Sequence, residues 1–101
     1  MLERSIQSSI KTKLSKKGCL VYKFDSPGNA GVPDLIVIAP LGVYFLEVKT
    51  ATGRLTKLQE HQHERMRAAG ALVYVVRSTE AADAAHAEAQ TVIRDRVVDC
   101  F

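Results

Sequence analysis

Asp34, Glu47 and Lys49 stand at the ends of two apolar segments, where a buried strand would normally carry hydrophobic side chains. Asp34 directly precedes the run Leu-Ile-Val-Ile-Ala, and the run Val-Tyr-Phe-Leu-Glu-Val-Lys ends with Glu47 and Lys49. Both runs are rich in β-branched or aromatic residues, and the turn-like residues 40–42 separate them. This pattern predicts an antiparallel hairpin with ionisable groups at its open end.

The expected register of the hairpin brings these groups together. With a loop over residues 39–42, the facing pairs are Ile38 with Val43, Ile36 with Phe45, and Asp34 with Glu47. Facing residues have Cβ atoms about 4.5–5.5 Å apart. Because strand side chains repeat every second residue, Lys49 lies on the same face as Glu47. The sequence therefore predicts a compact cluster of two acids and one lysine.

Such a cluster is suited to a divalent cation. Two carboxylates this close destabilise each other unless they share a proton or a cation, and carboxylate oxygens suit hard ions such as Mg²⁺ or Mn²⁺. The alternative is structural: Glu47 and Lys49 would form a solvated strand edge, and Asp34 would cap a loop. Taken singly, each residue fits either interpretation.

The spacing resembles the PD-(D/E)xK nuclease signature, here Pro33-Asp34 followed by Glu47-Val-Lys49. A longer, ordered set is similar to the virus-type replication-repair nuclease (VRR-NUC) family, in particular to its stand-alone phage and prophage members. The matching elements are Glu3, Gly31-Val-Pro-Asp-Leu35, Glu47-Val-Lys49 and Gly53-Arg-Leu-Thr-Lys-Leu-Gln59. They occur in order from residue 3 to the Gly70 turn, so the resemblance covers most of the chain.

The resemblance implies metal-dependent hydrolysis of a DNA phosphodiester. Asp34, Glu47 and the Val48 carbonyl would hold Mg²⁺ or Mn²⁺ against a phosphate oxygen. Lys49 would orient or deprotonate the attacking water, or stabilise the charge that develops at phosphorus. Glu3 and Gln59 would complete the catalytic set, with Glu3 also near the metal.

Glu3 belongs to a predicted first helix over residues 2–17, which Gly18 ends. Apolar residues recur at every fourth position of this segment: Leu2, Ile6, Ile10 and Leu14. Glu3 lies close to that face, and an acid facing the core needs a partner. The resemblance supplies one by placing Glu3 at the active site. The alternative is a solvent-exposed glutamate favoured by the helix dipole.

Gln59 lies in the first turn of a second predicted helix, which begins at Thr56 and ends at Gly70. Thr56 and Gln59 have the spacing of a capping box, so capping competes with the role near the metal that the resemblance implies. Gln62 is in register with Leu58, Met66 and Ala69 and is an alternative inward-facing amide. The sequence leaves the choice between the two glutamines open.

The remaining segments complete an α/β fold of order αβββαβα. Strands are predicted over residues 19–24 and 71–76, and a last helix runs from Thr79 to about Arg96, with Val92, Ile93 and Val97 available for packing. A hairpin followed by a helical crossover gives a mixed β-sheet flanked by helices. This arrangement agrees with a restriction-endonuclease-like core in one domain over residues 1–101.

The composition is that of an ordinary globular protein, with 47% apolar and 25% charged residues among 101. No apolar run approaches the roughly 20 residues that span a bilayer, and we expect an intracellular protein, in the cytoplasm of a bacterial or phage-infected cell.

The net charge is +3. Five basic residues are expected to contact DNA phosphates: Lys11, Lys16, Lys17, Arg54 and Lys57. The alternative is that they only form solvent-exposed helix faces.

The cysteines and histidines lack the spacing of a metal site. Cys19 and Cys100 are far apart, so neither a zinc site nor a structural disulfide is indicated. His61 and His63 point in different directions on a helix, and His86 stands alone. We therefore expect all three histidines to be solvated.

Taken together, the sequence favours a structure-specific DNA endonuclease, because the family's stand-alone members resemble enzymes that act on branched DNA such as four-way (Holliday) junctions. Symmetric cleavage of a junction needs two active sites, so a homodimer is expected. One alternative is a catalytically silent DNA-binding or assembly module of the same fold. The other is a sequence-specific restriction-type endonuclease, which the short chain disfavours.

Overall fold

A computed structural model describes residues 2–99 of the chain, with side chains described as far as residue 97, and confirms the order αβββαβα. The elements are α1 (Glu3–Ser15), β1 (Leu20–Lys23), β2 (Leu35–Ala39), β3 (Gly42–Val48), α2 (Lys57–Ala68), β4 (Val73–Val76) and α3 (Thr79–Asp99). Cys100 lies outside the described residues. No helix in the described part of the chain is long and apolar enough to cross a membrane.

The four strands form one mixed sheet in the order β1-β2-β3-β4. Neighbours β1, β2 and β3 are antiparallel, whereas β4 pairs in parallel with β3 after the crossover through α2. The predicted hairpin register is confirmed, since Ile38 faces Val43 and Ile36 faces Phe45. Leu35 then faces Leu46, so the next facing positions are Asp34 and Glu47.

Helices α1 and α3 cover one face of the sheet and enclose the core. Ile6, Ile10 and Leu14 are buried on α1, as the four-residue spacing predicts, whereas Leu2 precedes the helix and is exposed. The prediction for the last helix is confirmed only in part. Val92 and Ile93 are half-buried and Ile93 packs against Gly42, but Val97 is exposed, and the buried apolar residues are Ala82, Ala85 and Ala89. Small side chains suit this face because they let the helix approach its neighbours closely.

The opposite face of the sheet is covered only in part. Helix α2 packs beside β4, and Arg67 donates two hydrogen bonds to the Val73 carbonyl, at 3.2 Å from Nε and 2.9 Å from Nη2. On β1, β2 and β3 the same face carries a row of exposed apolar side chains: Leu20, Tyr22, Ile38 and Val43. The sheet therefore has one covered face and one half-open face.

Candidate active site

Three acidic side chains from three different elements converge at one end of the β2–β3 hairpin. Glu3 begins α1, Asp34 directly precedes β2, and Glu47 is the penultimate residue of β3. One carboxylate oxygen from each lies within 4.8 Å of the other two. The hairpin register alone brings Asp34 and Glu47 together, and the packing of α1 adds Glu3.

Asp34 is held in place by backbone hydrogen bonds on both sides. Its Oδ2 accepts a hydrogen bond from the Val48 N–H at 2.9 Å, and its carbonyl oxygen accepts one from the Phe24 N–H at 2.7 Å. Pro33 before it is fully buried. These contacts fix the carboxylate at the mouth of the hairpin and leave Oδ1 free of that backbone contact.

Glu47 is completely buried, with 0% of its surface exposed, and neither carboxylate oxygen has a hydrogen-bond partner among the described residues. Lys49 Nζ lies 3.7 Å from Oε2, and His63 Nε2 lies 3.5 Å from Oε1. Burial raises the pKa of Glu47 from 4.5 to about 8; Asp34 adds to the rise and Lys49 opposes it. Without a cation, the buried carboxyl is therefore held largely in its neutral form at pH 7.

Lys49 shares this end of the sheet, as the sequence predicts. Its backbone N–H donates to the Val76 carbonyl at 3.0 Å, which continues the parallel β3–β4 pairing by one step. Its side chain is 12% exposed. An ammonium group held at the rim of an acidic cluster can reach a ligand that approaches from solvent.

The donor set fits a hard divalent cation. Buried polar atoms in native proteins are nearly always paired, so two unpartnered oxygens on one buried carboxylate call for a missing partner. Three converging carboxylates supply the oxygen ligands that Mg²⁺ and Mn²⁺ prefer. A cation bound there would also relieve the repulsion among the acids.

Comparison with known proteins was made by sequence and by structure. The chain is 38% identical over 79 residues to "Putative nuclease p44" of Acyrthosiphon pisum secondary endosymbiont phage 1, which covers 77% of this chain and 85% of that protein. A solved structure described as "VRR_NUC domain" is also 38% identical, with a TM-score of 0.74 over 80% of this chain and 89% of its own. The chain belongs to the VRR-NUC family.

A second solved structure, described as "VRR_NUC domain protein", has a TM-score of 0.65 and covers 93% of this chain and 86% of its own. At 18% identity it shows the shared fold alone. No family model matches the sequence. The predicted VRR-NUC membership and the restriction-endonuclease-like α/β architecture are both confirmed.

In this VRR-NUC domain the side chain of α2 that reaches Glu47 is a histidine. His63 is 0% exposed, so the prediction that it is solvated is wrong. Burial is the main cause that lowers its pKa, and the Arg67 guanidinium acts in the same direction. His63 lies four residues after Gln59, and this i, i+4 spacing is the sequence feature that could have placed the two on one helix face.

The two glutamines of α2 have different surroundings. The capping box is formed as predicted: Gln59 Oε1 accepts from the Thr56 N–H, and Thr56 Oγ1 accepts from the Gln59 N–H, both at 3.0 Å. Gln62 is half-buried. Leu58 and Ala69, which were expected to share an inward face with Gln62, are exposed. The inward face therefore runs through His63, and a role of Gln59 near the metal stays a prediction.

The loop before Asp34 packs tightly on the first turn of α2. Gly31 has φ +92°, and a Cβ atom at this position would lie 2.8 Å from the Leu58 carbonyl oxygen. Only glycine allows both the left-handed conformation and this approach without a shift of the backbone. This contact fixes α2, and with it His63, relative to the Asp34 loop.

The predicted basic residues do not all have the same surroundings. Lys11, Lys16, Arg54 and Lys57 are exposed. Lys17 is exposed as well, but it forms an ion pair with Asp83, so its charge links the turn after α1 to α3. Contact of any of these residues with DNA stays a prediction.

Two further basic residues, Arg4 and Lys23, were not among the predicted DNA contacts but line clefts beside the acidic cluster. A shallow cleft beside Asp34 contains Gln7 and Lys23. An adjoining cleft shares these two side chains and continues to Arg4 and Lys11. The path that leads away from the cluster along α1 and β1 thus carries three basic side chains in the adjoining cleft, whereas beside Asp34 the charge of Lys23 is offset by Asp25. Residues 4 and 23 are distant in sequence, so only the fold brings them together.

His86 is a second buried histidine that was expected to be solvated. Its Nδ1 is hydrogen-bonded to the Tyr44 hydroxyl at 2.9 Å and lies 3.9 Å from Cys19 Sγ. Burial lowers the pKa of His86 and raises that of Cys19. This network is in the core between the sheet and α3, away from the acidic cluster.

Proposed function

We propose that this VRR-NUC protein is a divalent-metal-dependent deoxyribonuclease that hydrolyses phosphodiester bonds in branched DNA. The observation that carries the proposal is the convergence of Glu3, Asp34 and Glu47 within 4.8 Å, with buried oxygens that lack partners among the described residues. Lys49 Nζ lies 3.7 Å from Glu47 Oε2 at the rim of this cluster, which supports the role that the resemblance to the PD-(D/E)xK signature implies.

Asp34, Glu47, Glu3 and the Val48 carbonyl are the groups that would hold Mg²⁺ or Mn²⁺. When bound, such an ion acts as a Lewis acid that offsets negative charge developing on the phosphate. Asp34 is suited to this role because the Val48 N–H already fixes its orientation. Glu47 is suited because burial keeps competing water away from its oxygens.

Lys49 acts at the phosphate or at the attacking water. Its ammonium group carries three N–H donors on a flexible stem, and Glu47 holds it at the edge of the cluster. From there the ammonium donates to a phosphate oxygen or orients the water that attacks phosphorus, whereas deprotonation of that water requires Lys49 in its neutral amine form. Gln59 contributes through the amide nitrogen that the capping box leaves unused.

The DNA backbone is bound along the path of clefts beside Asp34. Contacts to phosphates position a duplex without reading its sequence, and lysine and arginine are the usual donors. Lys23 and Arg4 line this path together with Lys11. Lys16 and Lys17 just after α1, and Arg54 and Lys57 before and at the start of α2, are further candidates for phosphate contacts, although Asp83 offsets the charge of Lys17. The protein acts on DNA in the cytoplasm of a bacterial or phage-infected cell.

Paired cleavage of a four-way junction requires two active sites, and a C₂ homodimer is the simplest arrangement that provides them. The half-open sheet face offers a surface for a second copy of the chain. Leu20, Ile38 and Val43 form one apolar row across three strands there, and exposed apolar patches often mark interfaces.

The direct test is cleavage of end-labelled four-way junction, flap, single-stranded and linear duplex DNA, with Mg²⁺, with Mn²⁺ and with EDTA. We expect paired nicks across the junction that require the metal and disappear in Asp34→Asn, while DNA binding is retained. Binding without cleavage of any substrate would indicate a silent module. Cleavage of linear duplex at one fixed sequence would indicate a restriction-type enzyme.

A further inference from the structure

His63 is, like Lys49, a basic side chain near Glu47, and unlike Lys49 it is completely buried. Its Nε2 is 3.5 Å from Glu47 Oε1, and both residues are 0% exposed. Neither ring nitrogen of His63 has a hydrogen-bond partner among the described residues, and the same is true of both carboxylate oxygens of Glu47. Two polar groups without hydrogen-bond partners therefore lie side by side in the buried interior.

Burying these two polar groups costs free energy unless they form a hydrogen bond with each other. An unpaired polar atom in the interior loses its hydration without compensation, so proteins rarely retain one without a reason. A separation of 3.5 Å is slightly too long for a formed N–H···O hydrogen bond. Hydrogen bonds in active sites are often long in the unliganded protein and shorten when the ligand is bound.

The position of His63 indicates that it is not itself a metal ligand. The ligating atoms that lie within 4.8 Å of one another come from Glu3, Asp34 and Glu47, and His63 is not among them. The imidazole thus contacts Glu47 from outside the group of acids. Side chains in this second layer orient the ligands and are nearly as important for metal affinity as the ligands themselves.

We propose that His63 is a positioning residue whose Nε2–H donates to Glu47 Oε1 and holds that carboxylate toward the cation site. The inference rests on the proposed function, since it takes the acidic cluster as the site of the cation. It adds a role to a residue of α2 and explains why α2 is fixed so closely to the Asp34 loop through Gly31.

Three substitutions separate this role from packing. His63→Gln places an amide N–H near the position of the imidazole Nε2, whereas the shorter amide of His63→Asn reaches only the position of Nδ1. His63→Leu keeps an apolar side chain of similar size without a donor. His61→Gln is the matched control, because His61 is exposed on the same helix.

The measurement is the affinity for Mn²⁺ alone, without DNA, by titration calorimetry, with thermal unfolding in EDTA to confirm that each variant is folded. We expect His63→Leu and His63→Asn to bind Mn²⁺ about 10- to 100-fold more weakly than the wild type, with His63→Gln substantially restored and His61→Gln unchanged. If the leucine variant does not fold, the Mn²⁺ affinities of His63→Gln and His63→Asn are compared to test the positioning role.

Equal Mn²⁺ affinity of the Gln and Asn variants, or wild-type affinity in a folded Leu variant, would overturn the positioning role and leave the proposed nuclease intact. A wild-type protein that binds no Mn²⁺ would overturn the cation site itself and the inference with it. The two failures are therefore distinguishable in one series of titrations.

Discussion

The carboxylate of Asp34 accepts a hydrogen bond from the backbone N–H of Val48 at 2.9 Å, so the residue before β2 is tied to the last residue of β3. This contact gives Asp34 a structural role in addition to the proposed binding of a cation. It closes the open end of the hairpin at the point where Asp34 and Glu47 face each other. Substitutions at Asp34 can separate the two roles.

Asp34→Asn and Asp34→Ala should differ in stability although both abolish cleavage. The asparagine retains an oxygen that can accept from Val48, and it removes a charge beside Glu47. The alanine leaves the Val48 N–H without its partner, which costs about 1–3 kcal/mol for a buried group. Urea unfolding in EDTA measures the difference. Equal free energies of unfolding for the two variants would show that the hydrogen bond is not stabilising.

The pKa of Glu47 predicts how the metal-free protein responds to pH. Its folded pKa of about 8 lies above the ordinary 4.5, so the folded state holds the proton more tightly than the unfolded chain. This stabilisation is fully present below about pH 4.5 and is lost as the pH rises through about 8. Relative to Glu47→Gln, which cannot ionise, the wild type should lose stability between about pH 6.5 and pH 8.

Urea unfolding of both proteins in EDTA at the two pH values measures this difference. The interval begins at the ordinary histidine pKa of about 6.5, and burial lowers the pKa of His63 and His86 below that value, so both stay neutral in the folded protein throughout it. A parallel dependence in the two proteins would assign the effect to another group. Excess Mn²⁺ should reverse the trend in the wild type, because the cation binds the ionised carboxylate.

Gly31→Ala should destabilise the protein more than Gly28→Ala. Both glycines have positive φ, +92° and +84°, so each substitution carries the conformational penalty of about 1–2 kcal/mol. Only at Gly31 does the new Cβ meet a neighbour, the Leu58 carbonyl oxygen at 2.8 Å, while nothing lies within 4 Å of the Cβ at Gly28.

The difference between the two variants in urea unfolding isolates the contact between the Asp34 loop and α2. Gly31→Ala should also weaken Mn²⁺ binding, because a shift of this contact moves His63 relative to Asp34. Equal destabilisation by the two substitutions would mean that the loop relaxes without disturbing α2.

Val43→Glu should convert the proposed homodimer into a monomer. Val43 is 45% exposed in the apolar row of the half-open sheet face, and a charge there could not be buried against a second copy. Leu58→Glu is the control, because Leu58 is similarly exposed, at 52%, but on α2. Light scattering gives the mass of each variant. A dimer that survives Val43→Glu would place the interface elsewhere.

Much of the architecture could be predicted because it depends on local patterns. The β-branched runs, the turn at 40–42, the four-residue spacing on α1 and the capping box at Thr56 each specify their own element. The hairpin register follows from the loop, and it places Asp34 against Glu47 before any packing is known. These features involve residues that are close in sequence, where backbone geometry leaves few alternatives.

The rest depended on how distant elements pack. His63 and His86 are polar residues on helices, and composition favours solvent for both, yet α2 and α3 bury them against Glu47 and Tyr44. The most buried apolar side chains of α3 are alanines, and Val92 and Ile93 are only half-buried, because close packing of this helix against α1 and the sheet leaves room for small side chains. Burial depends on the tertiary packing of the whole chain. No local sequence pattern therefore specifies which polar side chain is removed from solvent.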